Sequence, residues 1–179
     1  MGSKTWAIST LLLRILTLLA CVGCMVAFII NTFRDPLFNN GSKATFKDLK
    51  TYRFVFSTAA IRAAYSLLQL PPALYLVSTG KRLIRKEWWP ELDFYGDEVI
   101  SLILAMGVGA GFAVSFEVKR LFNNLFGAFA GAGVQETEAA NSAYNNFFDK
   151  GIIATAILFL GFVCLAGLSV LSSFNRTKK

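Results

Sequence analysis

Histidine is absent from all 179 residues, and with it goes the side chain most often used to move protons or bind metals near neutral pH. Cysteine is scarce. The three present, Cys21, Cys24 and Cys164, all lie inside long apolar stretches, which excludes loop disulfides and zinc clusters built in loops. The Cys21-x-x-Cys24 spacing reads as small packing residues on one helix face rather than a redox or metal motif. There is no Gly-x-Ser-x-Gly elbow and no phosphate-binding loop. The expectations are therefore no enzyme, no catalytic residue, no metal and no cofactor. Acidic residues are also few, 11 against 18 Lys and Arg, for a net charge of +7. The basic residues sit in short connections and tails beside apolar runs, where they meet anionic lipid headgroups rather than nucleic acid.

What the chain has in quantity is apolar surface: 55% hydrophobic residues, 17 Phe among them. That composition is too apolar for a soluble domain of this size. About 18 to 20 apolar residues cross the hydrocarbon core as a helix, and four segments qualify, at about 7–30, 54–78, 94–118 and 152–173. They take up most of the chain, so the expected fold is all-α, a single integral membrane four-helix bundle over residues 1–179. Residues 18–21 resemble a lipoprotein cleavage box, but Arg14 interrupts the stretch before it and the apolar run continues to Ile30. The first segment thus reads as an uncleaved span.

Proline occurs four times, and Pro71-Pro72 falls inside the second segment. The pair removes two backbone donors and predicts a kinked helix. Gly107-Val108-Gly109-Ala110-Gly111 in the third segment supplies overlapping small-x-x-x-small pairs, which let helices approach closely in lipid. Gly107, Gly109 and Gly111 are therefore expected to pack helices, either within one bundle or between copies. Residues 119–150 read as an outer loop. Its Phe122, Phe126 and Phe129 would be sticky in water, so this loop is expected to lie on the membrane, on the bundle or on a partner.

Arg14 is the most unusual residue. A guanidinium cannot lose its charge, and near the centre of a lone membrane helix it costs about 2.5 to 3.5 kcal/mol. At 1.5 Å per residue it lies about 10 Å beyond Ala7. In an antiparallel bundle the first and third helices run the same way. Asp97 then shares that depth if the third helix begins near Leu92 or Asp93, so a structural ion pair between Arg14 and Asp97 is expected. The competing reading has Arg14 snorkelling to the headgroups while Asp97 caps a helix. Arg62 reads as a lesser case, near the outer end of its helix and able to snorkel.

An arginine in the first of four spans, the stretch Ala63-Ala64-Tyr65-Ser66-Leu67-Leu68 in the second, and a third opening on Asp97 with small residues after it together resemble the plant Casparian strip membrane domain protein-like (CASP-like) family. A more distant similarity is to the MARVEL tetraspans of animals. Arg14 matches the family's first-helix arginine and Asp97 its third-helix aspartate. The resemblance implies a multi-pass plasma-membrane protein that forms homodimers or larger homo-oligomers and hetero-oligomers with related proteins. It further implies a scaffold that recruits wall-modifying partners. The outer loops lack the Cys and the longer signature of the founding scaffold members, which places the chain among the "-like" proteins.

Lys and Arg flanking the spans divide equally between the two sides. The clustering of Lys81, Arg82, Arg85, Lys86 and the basic residues of 176–179 at helix ends favours both termini in the cytosol. The alternative function is a small oligomeric channel or transport regulator, since intramembrane charges often mark ion pathways.

Overall fold

The computed structural model describes residues 2–34, 43–79, 89–131 and 137–177. Four helices dominate: α1 Gly2–Ile30, α2 Lys50–Thr79, α3 Trp89–Gly131 and α4 Thr137–Thr177. Two short strands, β1 Thr32–Arg34 and β2 Lys43–Thr45, form an antiparallel hairpin between α1 and α2, pairing Thr32 with Thr45. Asp48 accepts from the Thr45 backbone N–H at 2.7 Å and turns the chain into α2.

A repeat of three and four residues runs through every helix. In α1 the buried positions include Ala7, Arg14, Thr17, Cys21, Cys24 and Phe28, followed by Asn31 just past its end; in α2 they include Tyr52, Val55, Ala59, Arg62, Ser66 and Gln69. The same repeat continues through Leu104, Val108, Gly111 and Ser115 of α3 and Ala154, Leu158, Gly161, Leu165 and Leu168 of α4. A seven-residue repeat keeps one seam of each helix against its neighbours, as in a left-handed bundle. Neighbours are α1 with α2 and α4, and α3 with α2 and α4, leaving α1 and α3 on a diagonal. The outward positions are apolar, including Leu12, Leu19, Leu68, Leu102 and Leu160, and the buried seam carries much of the polarity. That inversion suits lipid as the surrounding solvent.

Among the described residues, three helices hold segments long and apolar enough to cross a membrane: Ala7–Ile30, Phe94–Ala128 and Asn141–Leu171. The segment read as a second span falls in α2, which at 30 residues is long enough but whose seam holds Arg62, Ser66 and Gln69. α2 stays helical through Pro71 and Pro72 to Thr79.

Within the stretch read as an outer loop, residues 119–131 and 137–150 are helical. α3 runs on to Gly131 and α4 starts at Thr137, so these two helices have 43 and 41 residues, about 60 Å each at 1.5 Å per residue. Aromatic residues at helical spacing explain the difference. Phe122 stacks on Tyr144 with centroids 4.6 Å apart and on Phe126 and Phe148 at 5.8 and 6.1 Å. Lys119 pairs with Asp149, and the Asn145 amide donates to Asn123 and Asn141 at 3.0 and 3.1 Å. The apolar face thus closes on its own hairpin. The side chain of Phe129, the turn residues 35–42 and the basic and Trp-containing stretch 80–88 lie outside the described residues.

Candidate functional site: a buried three-charge cluster

We call the end of the bundle where α1 begins the lower end. Above it, three charged side chains from three helices meet. Asp97 Oδ2 accepts from Arg14 Nη2 at 3.2 Å and Asp97 Oδ1 from Arg62 Nη1 at 3.0 Å. Arg14 is 5% exposed, Arg62 0% and Asp97 7%. α1 and α3 are diagonal, so the long Arg14 side chain spans the bundle centre to reach Asp97, while α2 brings Arg62 to the other carboxylate oxygen. Each charge thereby meets an opposite one in a medium where a lone charge would be very costly.

Arg62 corrects the sequence expectation. It neither snorkels nor lies near a helix end, because α2 begins at Lys50, about 18 Å before it. The Tyr65 ring lies 5.6 Å from its guanidinium carbon, close enough for a cation–π contact. Tyr65 reaches this position because residue 96 is glycine; a β-carbon there would collide with the tyrosine hydroxyl. Gly96 and Asp97 thus act together, one admitting Tyr65 and the other receiving both arginines. Ser66 and Gln69 continue the polar line along α2 and are buried too. The signal for Arg62 was present in the seven-residue repeat of α2, where it falls on the buried seam.

The three predicted packing glycines separate. A β-carbon on Gly107 would strike Thr58 of α2, and one on Gly111 would lie 2.7 Å from Thr155 Oγ1 of α4. Gly109 faces outward with nothing within 4 Å. Gly107 and Gly111 therefore pack the bundle internally, and Gly109 does not. Cys21 and Cys24 are buried free thiols in the seam of α1, and Cys164 is also free.

Toward the upper end the fastening changes. Tyr52 and Ser115 hydroxyls bond at 2.8 Å, and the Asn31 amide donates to the Phe147 carbonyl at 3.0 Å. Phe28 and Phe147 flank Tyr52 at 5.1 and 6.0 Å. Gly151 admits the Tyr52 ring, since a β-carbon there would overlap its hydroxyl.

Helices with apolar exteriors, a polar seam and paired charges at its centre define an integral multi-pass membrane protein. The family follows from the sequence: the profile of the Casparian strip membrane protein domain matches residues 3–164, and the chain belongs to that family. It is 36% identical over 171 residues to CASP-like protein 4D1 of Ricinus communis, covering 96% of this chain and 92% of that one. With CASP-like protein 4D2 of Arabidopsis thaliana it shares 34% over 171 residues, covering 94% and 90%. With CASP-like protein 4D1 of Glycine max the identity is 31% over 178 residues, covering 99% and 90%. No solved structure matches the chain significantly.

Proposed function

We propose that the protein is a non-catalytic tetraspan of the plasma membrane, with both termini in the cytosol. It assembles into homo-oligomers, and into hetero-oligomers with related chains, to form a scaffold that engages partners outside the cell. The observation that carries this reading is the upper part of α3 and α4. Past Ser115, α3 continues to Gly131, about 24 Å of helix, paired with the first turns of α4. The aromatic stack of this arm is continuous with the bundle core, yet Leu121 and Leu125 remain 65% and 46% exposed. Both lie near the end of the apolar segment Phe94–Ala128, where exposed apolar side chains suit contact with lipid and with another membrane protein. The outward Gly109 and Ala113 of α3 offer a close-approach surface for a second copy in lipid.

The three central charges support a scaffold over a channel, because Arg14, Arg62 and Asp97 are bound to one another in the seam. The test is native mass spectrometry of the full chain released from nanodiscs, together with ion flux into liposomes. Dimers or larger assemblies with flux at background are expected. A monomer that conducts ions would refute the scaffold.

A further inference from the structure

Beside the three-charge cluster, α2 carries a group of buried donors. Arg62 uses Nη1 on Asp97, while its Nε and Nη2, and the hydroxyl of Ser66, are buried without a hydrogen-bond partner. Arg62 and Ser66 are both 0% exposed. They are four residues apart on one helix, so their side chains lie on the same face with β-carbons about 5 to 6 Å apart. The Tyr65 ring approaches the guanidinium carbon, but a ring face accepts little from N–H groups pointing in the guanidinium plane. A buried donor left unsatisfied is costly, the more so when it belongs to a charged group.

We propose that Arg62 Nε and Nη2, together with the Ser66 hydroxyl, bind a small inorganic anion of the halide class inside the bundle. All three groups donate, and a halide accepts from several donors at once while also offsetting guanidinium charge. Water would satisfy the donors without offsetting that charge. The complete burial of both residues favours a small ion of low dehydration cost over a lipid phosphate tethered to its acyl chains. The site is independent of the scaffold reading, since it lies within one chain.

The test uses the full chain in nanodiscs of phosphatidylcholine, unfolded thermally in gluconate, chloride or bromide at fixed ionic strength. The expected result is a saturable rise in midpoint with chloride and bromide, about 5 °C or more at a hundredfold excess over Kd. Ser66→Ala, which keeps all three charges, should abolish it, and Arg62→Lys should do the same. Equal midpoints in all three salts would mean bound water and overturn the proposal. An undiminished halide response in Ser66→Ala would overturn it as well. So would a rise seen only when phosphatidylglycerol is added to the nanodisc, which would assign the donors to a lipid headgroup.

Discussion

The two ends of the bundle are fastened by different chemistry. The lower half is tied by Arg14, Arg62 and Asp97, three charges from three helices joined through a single carboxylate. The upper half is tied by rings and short polar contacts: Phe28, Tyr52 and Phe147, continuous through Phe148 with Phe122 and Tyr144 in one core. The difference concerns cooperativity. Charges in a low-dielectric interior depend on one another, so loss of the shared carboxylate strands both guanidiniums. Stacked rings add smaller increments, each of which fails separately.

The largest expected effect is at Asp97. Asp97→Ala leaves two buried guanidiniums without their shared acceptor, and the cost should reach about 3 to 5 kcal/mol or more. Fluorescence-detected size exclusion and thermal unfolding should show loss of the folded peak. Arg62→Leu should cost less because Asp97 keeps Arg14, and Arg14→Leu should be no worse than Arg62→Leu because a one-to-one pair remains. An Arg14→Leu variant as damaged as Asp97→Ala would break this ranking.

Next come the glycines, where one sequence motif yields opposite outcomes. Gly96→Ala displaces Tyr65, and Gly107→Val drives into Thr58. Each should cost about 1 to 3 kcal/mol through overpacking. Gly109→Val should leave the midpoint within about 0.5 kcal/mol of the parent, as outward substitutions do. If Gly109→Val destabilises the isolated chain as much as Gly107→Val, the assignment of helix faces is wrong.

In the upper half the effects shrink. Tyr52→Phe deletes the bond to Ser115 and should lower stability by about 0.5 to 1.5 kcal/mol. Phe122→Ala removes a half-buried ring at the edge of that core: proteolysis within residues 119–150 should accelerate, with only a modest fall in the bundle's unfolding midpoint. A large fall in that midpoint would mean that the arm and the bundle form one cooperative unit.

Much of this was legible in the sequence. Apolar length identified the spans of α1, α3 and α4, because crossing a membrane demands unbroken runs that few other folds need. Arg14 and Asp97 stood out because charge inside such a run is costly. Arg62 was misplaced because its depth depends on where α2 begins, and an apolar window starting at Phe54 ignores the polar first turn from Lys50. The helicity of the arm is hidden for a related reason: Lys119, Arg120, Asp149 and Lys150 look like span boundaries, and the helical spacing of Phe122, Phe126, Tyr144 and Phe148 shows its meaning only when the two helices face each other. Gly107 and Gly109 are equivalent as letters, and only the rotation of α3 separates them.

The three charges are a structural fastening in which both guanidiniums depend on the Asp97 carboxylate. The most direct measurement compares the thermal unfolding in nanodiscs of Asp97→Leu with the triple variant Arg14→Leu, Arg62→Leu, Asp97→Leu. Replacing a complete buried ionic cluster with apolar residues is often neutral or stabilising, whereas breaking one is not. The prediction is a strongly destabilised single variant and a triple variant that recovers most of the parental midpoint. A single variant that unfolds like the parent, or a triple variant no better than the single, would contradict it.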